Sequence, residues 1–291
     1  SGNQGTLLAT GGTLNVSGTN WTNTGTVRAT GGTLNAGGTN WSNTGTGLIE
    51  AAGGRVVLSG TWTNAGATPG TLSANTSTIA FGSAVPLSNF GTYTHGSTGN
   101  FEVANGGNLD LGVASLDVAS LGSLTLSNGG TIRNGTLTSS NPSTAQLNLT
   151  EFSQATLDQV TLGSGLNANV PYASTLVITG GLNLNGATIN FKDGNASLRF
   201  DGSGVQQLNG TNGTITDVYA GRVGTYNRQI TTSGTNTSLQ IGSGVTVNHS
   251  TGDLTISNLS GNQGTLLATG GTLNVSGTNW TNTGTVRATG G

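Results

Sequence analysis

Apolar and polar residues alternate along most of the chain in short segments that end at glycine or asparagine. Leu14 and Val16 would lie on one side of such a segment, with Thr13 and Asn15 on the other, and the same spacing recurs as far as Ile256. Alternation with a period of two residues, interrupted by Gly-Gly and Asn-x-Gly, is typical of β-strands joined by tight turns. The pattern predicts an all-β protein built from many short strands.

A shorter repeat groups these strands into sets of three. Residues 6–25 and 26–45 are near-copies, and residues 46–66 repeat the theme in slightly longer form. Three strands and three turns in about 20 residues predict one coil of a parallel β-solenoid, because such a unit buries its inner face only by stacking on its neighbours. In this stacking Arg28 and Glu50 share an outward column, and we expect them to form an exposed ion pair.

A longer repeat encloses the short one. The 32 residues 1–32 return without change at 260–291, which is an offset of 259 residues. The sequence therefore predicts a tandem unit at 1–259, with about 12 coils of about 20–22 residues, followed at 260–291 by the start of the next unit. No linker or polar cap separates the copies, so the predicted partner of each unit is the next copy, end to end along the axis.

Composition excludes several classes of protein. The chain has 52 glycines, no cysteine and only 6% charged residues, with a formal net charge of −2. It therefore lacks disulfides, thiolate metal sites and the basic surface typical of nucleic-acid binding. No apolar run reaches the 18 residues of a membrane span. We expect no cofactor, no metal, no nucleic acid and no membrane span in this sequence.

Two columns of residues recur at one place in the first coils. The first column holds aromatic side chains that fit either an interior stack or an exposed platform for sugars: Trp21, Trp41 and Trp62. The interior position is favoured because the fourth copy has Leu87 there, and leucine replaces a buried tryptophan more readily than a sugar platform. The second column is expected to be an amide ladder at a turn, linking one coil to the next: Asn23, Asn43 and Asn64, with Asn89 in the fourth copy.

Residues 192–228 carry seven of the chain's eighteen charges, and residues 217–229 are its least repetitive segment. One interpretation is an irregular coil with a solvated loop. The other is a carbohydrate or partner contact, since tyrosine and arginine are enriched in binding sites. The candidate ligand-binding residues are Arg199, Asp201, Asp217, Tyr219, Arg222 and Tyr226.

Catalytic chemistry has little support in the sequence. His95 and His249 have no nucleophile and acid nearby. Polysaccharide cleavage requires paired carboxylates, whereas the carboxylates of this chain are mostly solitary. An ice-binding threonine array at Thr22 and Thr24 is interrupted in the following coils. We predict no catalytic residues and no enzyme, with a carbohydrate-binding or polysaccharide-cleaving site in 192–228 as the alternative.

The pattern TLLATGGTLNVSGTNWTNTG resembles the repeats of filamentous-haemagglutinin-type adhesins and of autotransporter passenger domains. The resemblance is clearest over 1–66 and 260–291. It implies a right-handed parallel β-helix at the bacterial cell surface, secreted and extracellular. It also implies a structural or adhesive fibre that acts as a stiff filament, with surface glycans or neighbouring cells as further partners.

Overall fold

The computed structural model describes residues 1–218 and 227–289. Almost all regular structure in these residues is β-strand, with two short 3₁₀ turns, η1 (Leu87–Asn89) and η2 (Val118–Leu121). The strands are β1 (Gly2–Asn3), β2 (Thr6–Ala9), β3 (Thr13–Val16), β4 (Thr22–Asn23), β5 (Thr26–Ala29), β6 (Thr33–Ala36), β7 (Trp41–Asn43), β8 (Leu48–Ala51), β9 (Arg55–Leu58), β10 (Trp62–Thr63), β11 (Thr71–Ala74), β12 (Thr78–Phe81), β13 (Ala84–Pro86), β14 (Thr92–His95), β15 (Asn100–Val103), β16 (Asn108–Asp110), β17 (Ser115–Asp117), β18 (Leu124–Leu126), β19 (Thr131–Arg133), β20 (Thr136–Thr138), β21 (Leu147–Leu149), β22 (Gln154–Asp158), β23 (Thr161–Leu162), β24 (Asn167–Val170), β25 (Thr175–Thr179), β26 (Leu182–Asn185), β27 (Thr188–Phe191), β28 (Ser197–Asp201), β29 (Val205–Thr211), β30 (Gly213–Asp217), β31 (Asn227–Ser233), β32 (Ser238–Ile241), β33 (Val245–His249), β34 (Asp253–Ile256), β35 (Leu259–Asn262), β36 (Thr265–Ala268), β37 (Thr272–Val275), β38 (Thr281–Asn282) and β39 (Thr285–Ala288).

The strands stack into parallel sheets that run along one axis. The longest, called here the long sheet, has 13 strands from β3 to β39, each one coil after the last. A four-stranded sheet (β1-β4-β7-β10) and a five-stranded sheet (β2-β5-β8-β11-β14) complete the first coils. A nine-stranded sheet (β13 to β37) and an eight-stranded sheet (β17 to β38) complete the later ones. The prediction of an all-β parallel solenoid is confirmed, with about 13 turns in the whole chain.

The cross-section of the solenoid changes near residue 84. The coil that starts at β12 contains β13, η1 and β14, and β13 begins the nine-stranded sheet. Two elements of the next coil continue this change, because β17 begins the eight-stranded sheet while η2 packs against β14. From there each coil again has three strands, one in each of the long, nine-stranded and eight-stranded sheets.

The core is a continuous column of apolar side chains inside the coils. In the long sheet, the register aligns Leu34, Val56, Ile79, Phe101 and Leu124 on successive strands. All five are fully buried. The alternation seen in the sequence therefore places every second residue of a strand in the core, where stacking removes its apolar surface from water.

One corner of the first coils requires glycine. A side chain at Gly38 would place its Cβ 2.0 Å from the carbonyl oxygen of Gly18, and one at Gly60 would be 1.8 Å from that of Gly38. Both glycines also have positive φ, at 120° and 75°. Only glycine allows this close approach together with this backbone conformation.

Candidate functional site

The three tryptophans of the repeated column form a stack inside the coils. Trp21 and Trp41 have ring centroids 4.7 Å apart with an interplanar angle of 8°, and Trp41 and Trp62 are 5.7 Å apart at 26°. Their exposed fractions are 6%, 1% and 5%. Rings so enclosed offer no flat face to a sugar, which agrees with the interior position favoured by the sequence. The stack is a structural feature of the core.

The aromatic column continues beyond Trp62, but with other residues than expected. Phe81 and Phe90 stack on Trp62 at centroid distances of 5.9 and 6.5 Å. Leu87, which the repeat alignment placed in this column, lies in η1 and is only partly buried. The extra side formed by β13 lengthens this coil before it reaches the aromatic column. Phe90, rather than Leu87, therefore occupies the buried position next to Trp62.

The asparagine column is a ladder of buried amides. The Nδ2 group of Asn3 donates to Oδ1 of Asn23 at 2.7 Å, Asn23 donates to Asn43 at 2.6 Å, and Asn43 donates to Asn64 at 2.7 Å. Asn23, Asn43 and Asn64 are fully buried. Each amide is thus both donor and acceptor, so the ladder satisfies buried polar groups while it ties successive coils together.

The ladder ends at Asn64 and starts again near the end of the chain. Asn64 Nδ2 donates to backbone carbonyls, including that of Phe90 at 2.6 Å. Asn89, the fourth member expected from the sequence, does not join the ladder and donates to the carbonyl oxygen of Trp62 at 2.7 Å. In the second copy of the repeat, Asn262 donates to Asn282 at 2.8 Å.

The charged candidates on the nine-stranded sheet are paired with each other. Arg199 Nε and Nη2 donate to the two carboxylate oxygens of Asp201 at 2.7 and 3.0 Å. Arg199 Nη1 donates to Oε1 of Gln154, two coils away, at 3.3 Å. The aspartate raises the pKa of the Arg199 guanidinium through this hydrogen bond, although burial acts in the opposite direction. Both ends of the arginine fork are therefore occupied within the protein.

Asp217 belongs to a different cluster, at the end of β30 in the long sheet. Its carboxylate accepts from the backbone N–H groups of Ser250 and Thr251 at 2.7 and 2.9 Å and lies 3.4 Å from Nδ1 of His249. Burial acts to raise the pKa of Asp217, but the hydrogen bonds and the facing His249 and Arg228 hold it below its ordinary value. His249 is fully buried, and its Nε2 lies 3.0 Å from the carbonyl oxygen of Gly252. We interpret the cluster as an anchor for neighbouring coils.

The structure thus separates the candidates that the sequence grouped in 192–228. No hydrogen bond or ion pair within the described residues joins Asp217 to Arg199 or Asp201. Tyr219, Arg222 and Tyr226 lie outside the described residues.

A groove that the sequence did not reveal surrounds β13. Three cavities, with volumes of about 370, 260 and 230 Å³, share Pro86 in their linings. The middle one is also lined by Trp41 and Trp62. Trp21 and Trp41 donate their indole N–H groups to backbone carbonyls at 2.9 and 3.0 Å, whereas the buried N–H of Trp62 has no partner. The signal in the sequence was the break in the 20-residue period after residue 66.

Within residues 1–218 and 227–289, no three His, Asp or Glu side chains are grouped so that they could hold a metal ion. Nor does that part of the chain contain a helix long and apolar enough to span a membrane. Comparison of the chain with family models, with curated proteins and with solved structures gave no significant match.

Proposed function

We propose that this chain is a section of a stiff extracellular fibre made of tandem β-solenoid units, with a structural and adhesive role at the bacterial cell surface. The observation that carries the proposal is the unbroken long sheet, which passes from the first copy of the repeated segment at β3 to the second copy at β39. Consecutive units can therefore share one core and one set of coil-to-coil hydrogen bonds. The surface location and adhesive role rest on the resemblance of the repeats to adhesins.

Electron microscopy of a native or recombinant tandem array tests the fibre. Parallel strands lie about 4.8 Å apart, so a 259-residue unit should extend an unbranched rod by about 54 Å. A compact particle, or a length that does not grow in proportion to the number of units, would contradict the proposal. Beads coated with the chain should also bind target cells more than beads coated with an unrelated protein. Equal binding would remove the adhesive part.

Carbohydrate binding is the second candidate, and one observation favours a site at the groove rather than at 192–228. Trp62, whose buried N–H has no partner, lines a cavity of about 260 Å³, and the hydroxyl oxygen of a sugar held there could accept a hydrogen bond from this N–H. Trp62→Phe keeps the aromatic ring and removes only the N–H. It should weaken the binding of neutral oligosaccharides, followed by tryptophan fluorescence, by about tenfold.

Trp41→Phe is the matched control, because the N–H of Trp41 is already bonded to Ser59. Equal effects of the two substitutions, or no sugar binding by the wild type, would reject this site. New reducing ends after incubation with polysaccharides, lost in Asp201→Asn, would instead restore the enzymatic alternative at 192–228.

A further inference from the structure

The two identical copies of the 32-residue segment occupy different sheets of the solenoid. In the first copy, TLLA forms β2 in the five-stranded sheet and TLNV forms β3 in the long sheet. In the second copy, TLLA forms β36 in the long sheet and TLNV forms β37 in the nine-stranded sheet. The remaining strands follow the same rule, since TVRA moves from the five-stranded sheet (β5) to the long sheet (β39).

Counting along the long sheet gives the size of this displacement. Eleven steps lead from β3 to β36, and β37, the true copy of β3, is the next strand in the chain. The coils at both ends have three strands each. The 259-residue period is therefore eleven coils plus one strand, or about a third of a turn more than a whole number. This is close to the twelve coils expected from the sequence, but it is not an integer.

Unequal coil lengths produce this remainder. The strands of the long sheet start 20 residues apart at β3 and β6, but 32 residues apart at β30 and β33. A coil can have any length that lets its next strand pair with the strand of the previous coil, because turns can hold extra residues outside the core. Only the sum of the coil lengths decides on which sheet the next copy begins.

We propose that in a tandem array each 259-residue unit is rotated by one face of the solenoid relative to the unit before it. This inference rests on the proposed function, in which units follow one another along one axis. An outward residue would then point in three directions in three successive units and return to its first direction in the fourth. The distance between equivalent sites on one side of the fibre is three units, about 160 Å.

The repeated segment already demonstrates the change of direction. Arg28 projects from the five-stranded sheet, where it pairs with Glu50 at 3.0 Å. Its copy, Arg287, projects from the long sheet, where its strand neighbour is Leu267. A contact surface on the unit would thus be presented around the whole fibre. A flat partner such as another cell could bind every third unit, while partners on other sides bind the rest.

Cross-linking in the present chain tests the rotation directly, because there is no natural cysteine to interfere. Thr246 is the strand partner of Thr265, and Asp253 is the strand partner of Thr272. Paired cysteines at 246 and 265, or at 253 and 272, should both form the fluorescent adduct of dibromobimane, since adjacent strands lie about 4.8 Å apart. The pair Thr246→Cys with Thr272→Cys should not, because these residues lie in different sheets.

The control pair would react only if the unit had a whole number of coils. In that case TLNV of the second copy would lie in the long sheet, beside β33. An adduct in the control pair, or none in the first two pairs, would overturn the rotation. Retained far-ultraviolet circular dichroism shows that each variant is folded. This test does not depend on whether the protein forms a fibre, so it separates the rotation from the proposed function.

A four-unit array tests the consequence for display. One cysteine per unit at the fully exposed Val113 can carry a gold label for electron tomography. Labels should point in three directions, with the first and fourth in line. Labels in a single row along a straight rod would overturn the inference while leaving the fibre intact. An array that forms no rod would overturn the fibre, and the cross-links alone would then decide the rotation.

Discussion

The substitution Asn43→Asp tests whether the amide ladder holds the first coils together. It is nearly isosteric, but it replaces a buried NH₂ group by an oxygen. In the wild type that NH₂ group donates to Asn64 Oδ1 at 2.7 Å and lies 3.2 and 3.3 Å from the carbonyl oxygens of Gly47 and Thr71. An ionised carboxylate would point at three oxygens, with no cation to compensate.

The expected cost at neutral pH is about 3–5 kcal/mol, as for other buried charges left without a partner. Because burial disfavours ionisation, the introduced carboxyl should have a pKa above the usual value of about 3.9. At pH values between the ordinary pKa of the unfolded chain and the raised pKa of the folded protein, the folded state binds more protons than the unfolded state. The free energy of unfolding of the variant must therefore rise as the pH falls through this range. A protonated carboxyl can again donate to Asn64, so much of the lost stability should return near pH 4.

Urea unfolding followed by tryptophan fluorescence is the assay, since Trp41 and its stacking partners lie in the same coils as Asn43. Asn35→Asp is the matched control, because Asn35 donates to Asn15 at 2.7 Å in the same coils, but this hydrogen bond is exposed to solvent. It should cost less than about 1 kcal/mol. Wild type and both variants are compared at pH 7.5 and pH 4. Equal costs for the two variants, or no recovery at pH 4, would refute the reasoning.

Two further predictions concern the core and the long sheet. Trp41→Ala should lower the free energy of unfolding by about 3–5 kcal/mol, because it empties a buried position and leaves the Ser59 carbonyl without its donor; an unchanged melting temperature would contradict the interior stack. Burial acts to raise the pKa of Glu102, but hydrogen bonds from Arg55 and Ser127 and the charge of Arg55 lower it overall. Glu102→Gln should therefore cost about 1–2 kcal/mol at pH 7, where the carboxylate is ionised. The difference from wild type should disappear as the pH falls below about 4, and a difference that persists at pH 2 in acid titration would count against this ion pair.

The sequence predicted best those coils that repeat without insertion. The copies 6–25 and 26–45 have equal length, so counting residues also gives the strand register. Leu8, Arg28 and Glu50 are indeed strand neighbours, and Arg28 Nε lies 3.0 Å from Glu50 Oε2. The coil architecture follows from the period, and this ion pair follows from aligning the coils on their Gly-Gly pairs, because parallel stacking brings equivalent positions together.

Prediction failed where the coil gained a side. The insertion after residue 66 contains Pro69, and the next coil includes the extra strand β13. Residue counting then placed Leu87 in the aromatic column, whereas Phe90 fills it. The positions of Arg199 and Asp217 show a related effect. These residues are close in sequence but lie on different sheets, in β28 and β30, because the chain turns corners of the coil between them.

The rotation of the second copy also indicates what determines how these coils stack. Leu7 has Val27 on the following coil of the five-stranded sheet, and its copy Leu266 keeps the equivalent neighbour, Val286, in the long sheet. On its other side Leu266 stacks on Val247, which belongs to a coil of different sequence. The segment therefore stacks on an identical coil on one side and on a coil of different sequence on the other, where it meets an inward apolar residue and a strand edge. The corner is less tolerant, since a Cβ at Gly277, the copy of Gly18, would lie 1.9 Å from the Leu259 carbonyl oxygen. At this junction the corner glycine and the inward apolar residues match, although the two stacked coils differ in sequence. Coil length is then free to vary, and through it the direction in which each unit faces.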